Sequence, residues 1–187
     1  MLEPHAQGVL TPTVATPRFA DVIRAALSLR AASLVVFRHR LLVEFKTERL
    51  GAGLTRYEED GHVSWQVGDF DDHHCHLDID ACTEVVFGAE PVGCQGGRLN
   101  YTIWFLTDGD AGNPHRPRAY FSVTLNRPYG ADGRALRDVI EPVFDLHRRF
   151  EDRAGVSAEP TFLLAMEDPA FMDALPVSPA SGLATSR

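Results

Sequence analysis

His74, Cys75, His76, Leu77, Asp78, Ile79, Asp80 and Ala81 form the stretch of this chain whose residue types could do chemistry. Side chains on a β-strand alternate between faces. A strand here would put Cys75, Leu77, Ile79 and Ala81 on one apolar face and His74, His76, Asp78 and Asp80 on the other. Imidazoles and carboxylates are donors for iron and zinc, and imidazole is an axial ligand of haem iron. His62 and His73 lie close by, so four of the chain's eight histidines fall between positions 62 and 76. The competing reading is a plain solvated sheet face, which shows the same apolar-in, polar-out alternation with no ligand attached.

The rest of the chain narrows the classes to consider. Its 187 residues, 44% hydrophobic and 24% charged, are enough to bury a core without metal or disulfide staples. No run of eighteen apolar residues occurs, so no membrane span is expected. The first residues lack the basic and apolar regions of a secretory signal. Three cysteines, Cys75, Cys82 and Cys94, make an odd count without CxxC spacing, which fits a reducing, cytoplasmic compartment. Residues 51–100 carry two basic against ten acidic groups. An acidic centre repels phosphate backbones, and no basic stripe with interleaved aromatics is present, so nucleic acid is not an expected partner.

Periodicity supplies the elements that must position the histidines. Residues 1–15 have no pattern and read as a mobile leader, residues 16–174 as a single α+β domain, and residues 175–187 as a disordered tail. Thr16-Pro17 reads as a cap and first-turn proline, opening a helix with Phe19, Val22, Ile23, Ala26 and Leu27 on one face. Two β-like segments follow between Ser33 and Lys46. Gly51 and Gly53 mark a break, and Glu58 to Gly61 a turn. Alternation then marks strands at His62–Val67, His74–Ala81, Thr83–Phe87, Arg98–Leu106 and Arg118–Leu125. Gly88–Gly97 and Asp108–Pro117 read as loops. A last helix from about Gly133 to Phe150 carries Leu136, Val139, Ile140, Val143, Phe144, His147 and Phe150 as its apolar stripe. Pro142 should kink it or reset its first turn. The expected architecture is an antiparallel sheet of six or more strands with N- and C-terminal helices packed on one face. Its other face would then carry His62, His74, His76, Asp78, Arg118, Tyr120 and Ser122 together.

Several of these segments can be matched together. Gly68-Asp69 leads into His74-Cys75-His76-Leu77-Asp78-Ile79, followed by Glu84-Val85-Val86-Phe87-Gly88-Ala89-Glu90-Pro91. Then come Arg98 to Leu106, with Trp104-Phe105-Leu106, and Asp108-Gly109. From about residue 65 to 150 this pattern resembles the bacterial cytosolic haem-utilisation proteins that act downstream of haem import. The resemblance implies a saddle-like antiparallel sheet with packed helices, often dimeric, that binds haem and carries it or takes part in its breakdown. His76 or His74 would then supply the iron ligand. They stand about 7 Å apart on one face, so a second axial ligand must come from elsewhere, and His147 is one choice. Arg98, Arg116 or Arg118 would approach the propionates, and Asp78 could accept the second N–H of a ligating imidazole.

Two other readings stay open. Gly68, His74-x-His76 and Asp80 look like the first motif of the cupin superfamily, which would make the chain a mononuclear iron or zinc enzyme. Its second motif would need a histidine after a Pro-x-Gly turn, and Asn113-Pro114-His115-Arg116 lacks that spacing. The last reading is a cofactor-free binding module whose polar sheet face is a small-ligand groove or an interface. Cys75 points to the apolar side and is a poor nucleophile there, and no G-x-S-x-G or P-loop pattern occurs.

Overall fold

The alternating segments form two sheets. The computed structural model describes residues 17–174 apart from 39–40, 52, 60–61, 70, 72, 93–96 and 115. The expected leader, the Thr16 cap and the tail lie outside the described residues. In chain order the elements are α1 (Ala20–Leu27), β1 (Ala32–Arg38), β2 (Leu41–Lys46), α2 (Thr47–Leu50), β3 (Leu54–Glu59), β4 (His62–Gly68) and β5 (His74–Leu77). A 3-10 turn at Ile79–Ala81 is followed by β6 (Glu84–Val92), β7 (Arg98–Leu106), β8 (Ala119–Leu125), α3 (Arg137–Phe150), β9 (Val156–Ala158), α4 (Pro160–Glu167) and α5 (Pro169–Ala174). One sheet has six strands in the order β2-β1-β8-β7-β6-β9, antiparallel except where β9 runs parallel to β6. The other has three strands, β3-β4-β5.

The larger sheet buries its alternate residues under the helices, as period-two sequences with one apolar face must. Val85 and Phe87 on β6, Ile103 and Phe105 on β7 and Phe121 on β8 are fully buried. From above, α3 lowers Ile140, Val143, Phe144, His147 and Phe150 onto this face. Tyr101 meets Phe144 edge-on, with ring centres 5.6 Å apart, and Phe162 of α4 lies 5.3 Å from Phe144. Pro142 stays inside one continuous α3, on its exposed side, where the lost N–H faces away from the core. Leu136, expected on the stripe, is the residue just before the helix and is 36% exposed. Pro160 opens α4 at a position where its missing N–H has no helical partner to lose.

Three local expectations need correction. Leu54–Glu59 is a strand, although only one of its residues is strongly apolar. It is held by pairing with β4 from Leu54↔Val67 to Glu59↔His62. The strand after Thr83 runs on through Gly88 to Val92, because Gly88 is there for space. A Cβ on it would meet Glu159 Oε2 at 2.7 Å and Trp104 Nε1 at 3.1 Å. The His74–Ala81 strand ends at Leu77. The Asp78 backbone N–H then donates to the Tyr120 hydroxyl at 3.1 Å, and the chain turns.

Candidate functional site

The small sheet sorts its residues by parity. Leu54, Trp65, Val67 and Leu77 are buried and join the common core. The same inward parity puts Cys75 against that core, where burial pushes its thiol up to about 11. Burial, aided by the carboxylates of Asp78 and Asp80, holds Cys82 higher still, at about 12. Both thiols are therefore poor nucleophiles at neutral pH.

The opposite parity builds a polar face. Register places Thr55, Gln66 and His76 in one row across the three strands, Tyr57 beside Ser64 in the next, and Gly68 beside His74. Gly68 adopts φ +102°, and a Cβ on it would run into the His73 carbonyl, so this turn requires glycine to bring β5 back along β4. The His74 and His76 rings lie 5.6 Å apart, edge to face. Tyr57 presents its ring to His76 at 4.8 Å, also edge to face. Ser64 Oγ sits 3.2 Å from His76 Nδ1. With the Nδ1–H donated to that hydroxyl, Nε2 keeps its lone pair and is the nitrogen available to an incoming ligand. His76 is exposed and His74 half-buried.

Asp80 does not share this face. It accepts a 2.8 Å hydrogen bond from Trp65 Nε1, which takes it out of the donor set that the cupin-like motif needs. Among the described residues no group of three or more His, Cys, Asp or Glu side chains comes close enough to hold a metal ion. Beside Asp78 opens a cleft of about 360 Å³ lined by Arg38, Asp78, Tyr120, Thr107, Asp110 and their neighbours. Burial holds the Tyr120 phenol above its usual range, the nearby Asp78 carboxylate adding to the effect. Arg38 forms no ion pair with any described residue, so its charge is available in this cleft.

The other residues singled out in the sequence lie elsewhere. His147 is buried, between Phe87 at 5.2 Å and Phe162 at 5.5 Å, with Nδ1 3.6 Å from Glu151. Arg98 stacks over Tyr129 at 5.2 Å. Arg118 is occupied by the Thr107 carbonyl at 2.7 Å and by Glu84 at 3.1 Å. Arg116 stacks on Trp104 at 4.8 Å and pairs with Glu90 and Glu159. The structure therefore brings His74 and His76 together and disperses the rest. Tyr120 and Ser122 stand on the larger sheet, separate from the imidazole face. Sequence reasoning missed Arg38 and Gln66. Nothing local in the sequence marks either residue.

A six-stranded sheet, a separate three-stranded sheet and the helices define a mixed α+β fold. No family model and no curated protein sequence matches the chain. Among solved structures, the crystal structure of ChuX matches with a TM-score of 0.51 and 12% identity, over 74% of this chain and 76% of that one. A structure described as the haem-binding protein ChuX gives 0.49 and 12%, over 73% and 76%. A protein from Erwinia carotovora gives 0.49 and 14%, over 71% of each chain. The likeness is one of fold. No helix among the described residues is long and apolar enough to cross a membrane.

Proposed function

We propose that this protein binds haem for haem utilisation, with His76 as the iron ligand and His74 beside it. The observation that carries this reading is the imidazole pair on the accessible face of the small sheet, with Nδ1 of His76 engaged by Ser64. With the Nδ1–H donated to the Ser64 hydroxyl, Nε2 carries the lone pair, the tautomer a haem ligand needs. Arg38, beside Asp78 and without an ion-pair partner among the described residues, is the cation best placed to take a propionate. The shared fold with ChuX, whose name in another structure is that of a haem-binding protein, points the same way. Bound haem would supply a redox-active iron. The chain's own residues supply its ligand and an anchoring charge.

The test is a hemin titration followed by visible absorption. The wild-type protein should develop a Soret band. His76→Ala should weaken or abolish it, and Arg38→Ala should raise the dissociation constant with the band position unchanged. A full-strength, unshifted band in both His76→Ala and His74→Ala would overturn the histidine assignment.

The same reading includes a cytoplasmic location and a homodimer. The free thiols of Cys75 and Cys82 support a reducing compartment. β2 is an edge strand of the six-stranded sheet, and its Leu41 and Leu42 are 61% and 57% exposed. An uncovered apolar edge of that kind is a surface for a second copy.

A further inference from the structure

One ring on the polar face of the small sheet takes no part in iron ligation. Tyr57 stands on β3 opposite Ser64 of β4, and His76 stands on β5, one strand further on. Neighbouring strands are about 4.8 Å apart, so β3 and β5 are separated by roughly 10 Å. Ser64 between them is small, and the phenol ring leans over it until its centre is 4.8 Å from that of the His76 imidazole. Tyr57 nevertheless stays 37% exposed. A large ring that is held beside the imidazole and left open to solvent is surface that a ligand can cover.

The angle between the two rings defines what could cover it. Their planes stand at 85° to each other. The Nε2 lone pair lies in the plane of the imidazole, so a macrocycle that it meets axially stands perpendicular to that plane. A phenol ring at right angles to His76 is therefore able to lie parallel to such a macrocycle and to one side of its centre, the offset arrangement that aromatic stacking favours. The neighbours suit the same ligand. Thr55, Ser64, Gln66 and His74 share this face with Tyr57 and His76, and none of them carries a permanent charge. Covering these side chains with an apolar disc buries no unpaired ion.

We propose that Tyr57 is a stacking platform for the tetrapyrrole ring itself, so that this face also binds a porphyrin containing no metal. The proposal rests on the haem reading for where the macrocycle lies, and it adds a ligand class that needs no bond to iron. Its test uses the full chain with ring-labelled tyrosine and metal-free protoporphyrin IX, which is diamagnetic and fluorescent. The Tyr57 ring signals are assigned by their disappearance in Tyr57→Phe. Titration should move them upfield saturably, because protons above the plane of a macrocycle are shielded by its ring current. By porphyrin fluorescence, Tyr57→Leu should weaken binding about tenfold and Tyr57→Phe by less than about twofold, since only the second keeps an aromatic face. Absence of saturable binding, a Tyr57 signal that stays in place or moves downfield, or undiminished binding by Tyr57→Leu would overturn the proposal. Hemin with the histidine variants tests the iron ligand by itself, and an unshifted Soret band there removes that assignment while the metal-free titration still decides this one.

Discussion

At the scale of single residues, one hydroxyl decides how an imidazole can act. Ser64 contacts His76 at Nδ1, so Ser64→Ala should free the ring without removing the proposed ligand. Loss of such an orienting partner typically costs on the order of 10-fold in affinity. A hemin titration of Ser64→Ala should therefore fall between the wild type and His76→Ala. His147 answers to pH instead. Burial between Phe87 and Phe162 holds its imidazole below the usual histidine range, against the opposing pull of Glu151. A group whose folded pKa lies below its unfolded value of 6.5 binds more protons when unfolded. Its stabilising contribution is full above 6.5 and is lost as pH falls from there through the folded value. Urea unfolding between pH 7.5 and 5 should thus show a decline for the wild type that is shallower in His147→Leu. The imidazole pair was legible in the sequence because alternate residues share a face whatever surrounds them. Gln66 and Arg38 were not, because only the tertiary fold buries the one and brings the other beside Asp78.

At the scale of elements, the turn from β4 into β5 carries the site. Gly68→Ala should force a side chain into the left-handed region and against the His73 carbonyl. Such strain costs on the order of 1–3 kcal/mol. A lowered urea midpoint together with a weakened Soret band would show that the β4–β5 register positions His74 and His76. An unchanged midpoint would show that the turn relaxes freely. β7 and β8 were legible because each sends alternate residues into a deep core, where the pattern is strongest. Three features escaped. The sequence of β3, Leu-Thr-Arg-Tyr-Glu-Glu, hides a strand held by its neighbour. Gly88 reads as a turn until Trp104 and Glu159 are seen occupying the space above it. The Asp78 N–H bonded to the Tyr120 hydroxyl marks the end of β5, and its two partners are 42 residues apart in sequence.

At the scale of the whole molecule, the two edges of the large sheet differ. β9 is short and runs parallel to β6, whereas β2 presents Leu41 and Leu42. Sedimentation over a range of protein concentrations should show self-association, and Leu41→Lys with Leu42→Lys should shift the population to monomer. Identical behaviour of the double variant would exclude this edge as the contact. Elsewhere the molecule is laced shut. Arg18 donates to the Ala154 carbonyl at 2.7 Å, while Arg153 grips both oxygens of Asp21. That double clasp welds the first helix to the corner beyond α3, across more than 130 positions of chain. Amide protons in the two segments should therefore exchange with deuterium as one cooperative unit. Asp21→Asn should speed both together, because neither can open while the other stays latched.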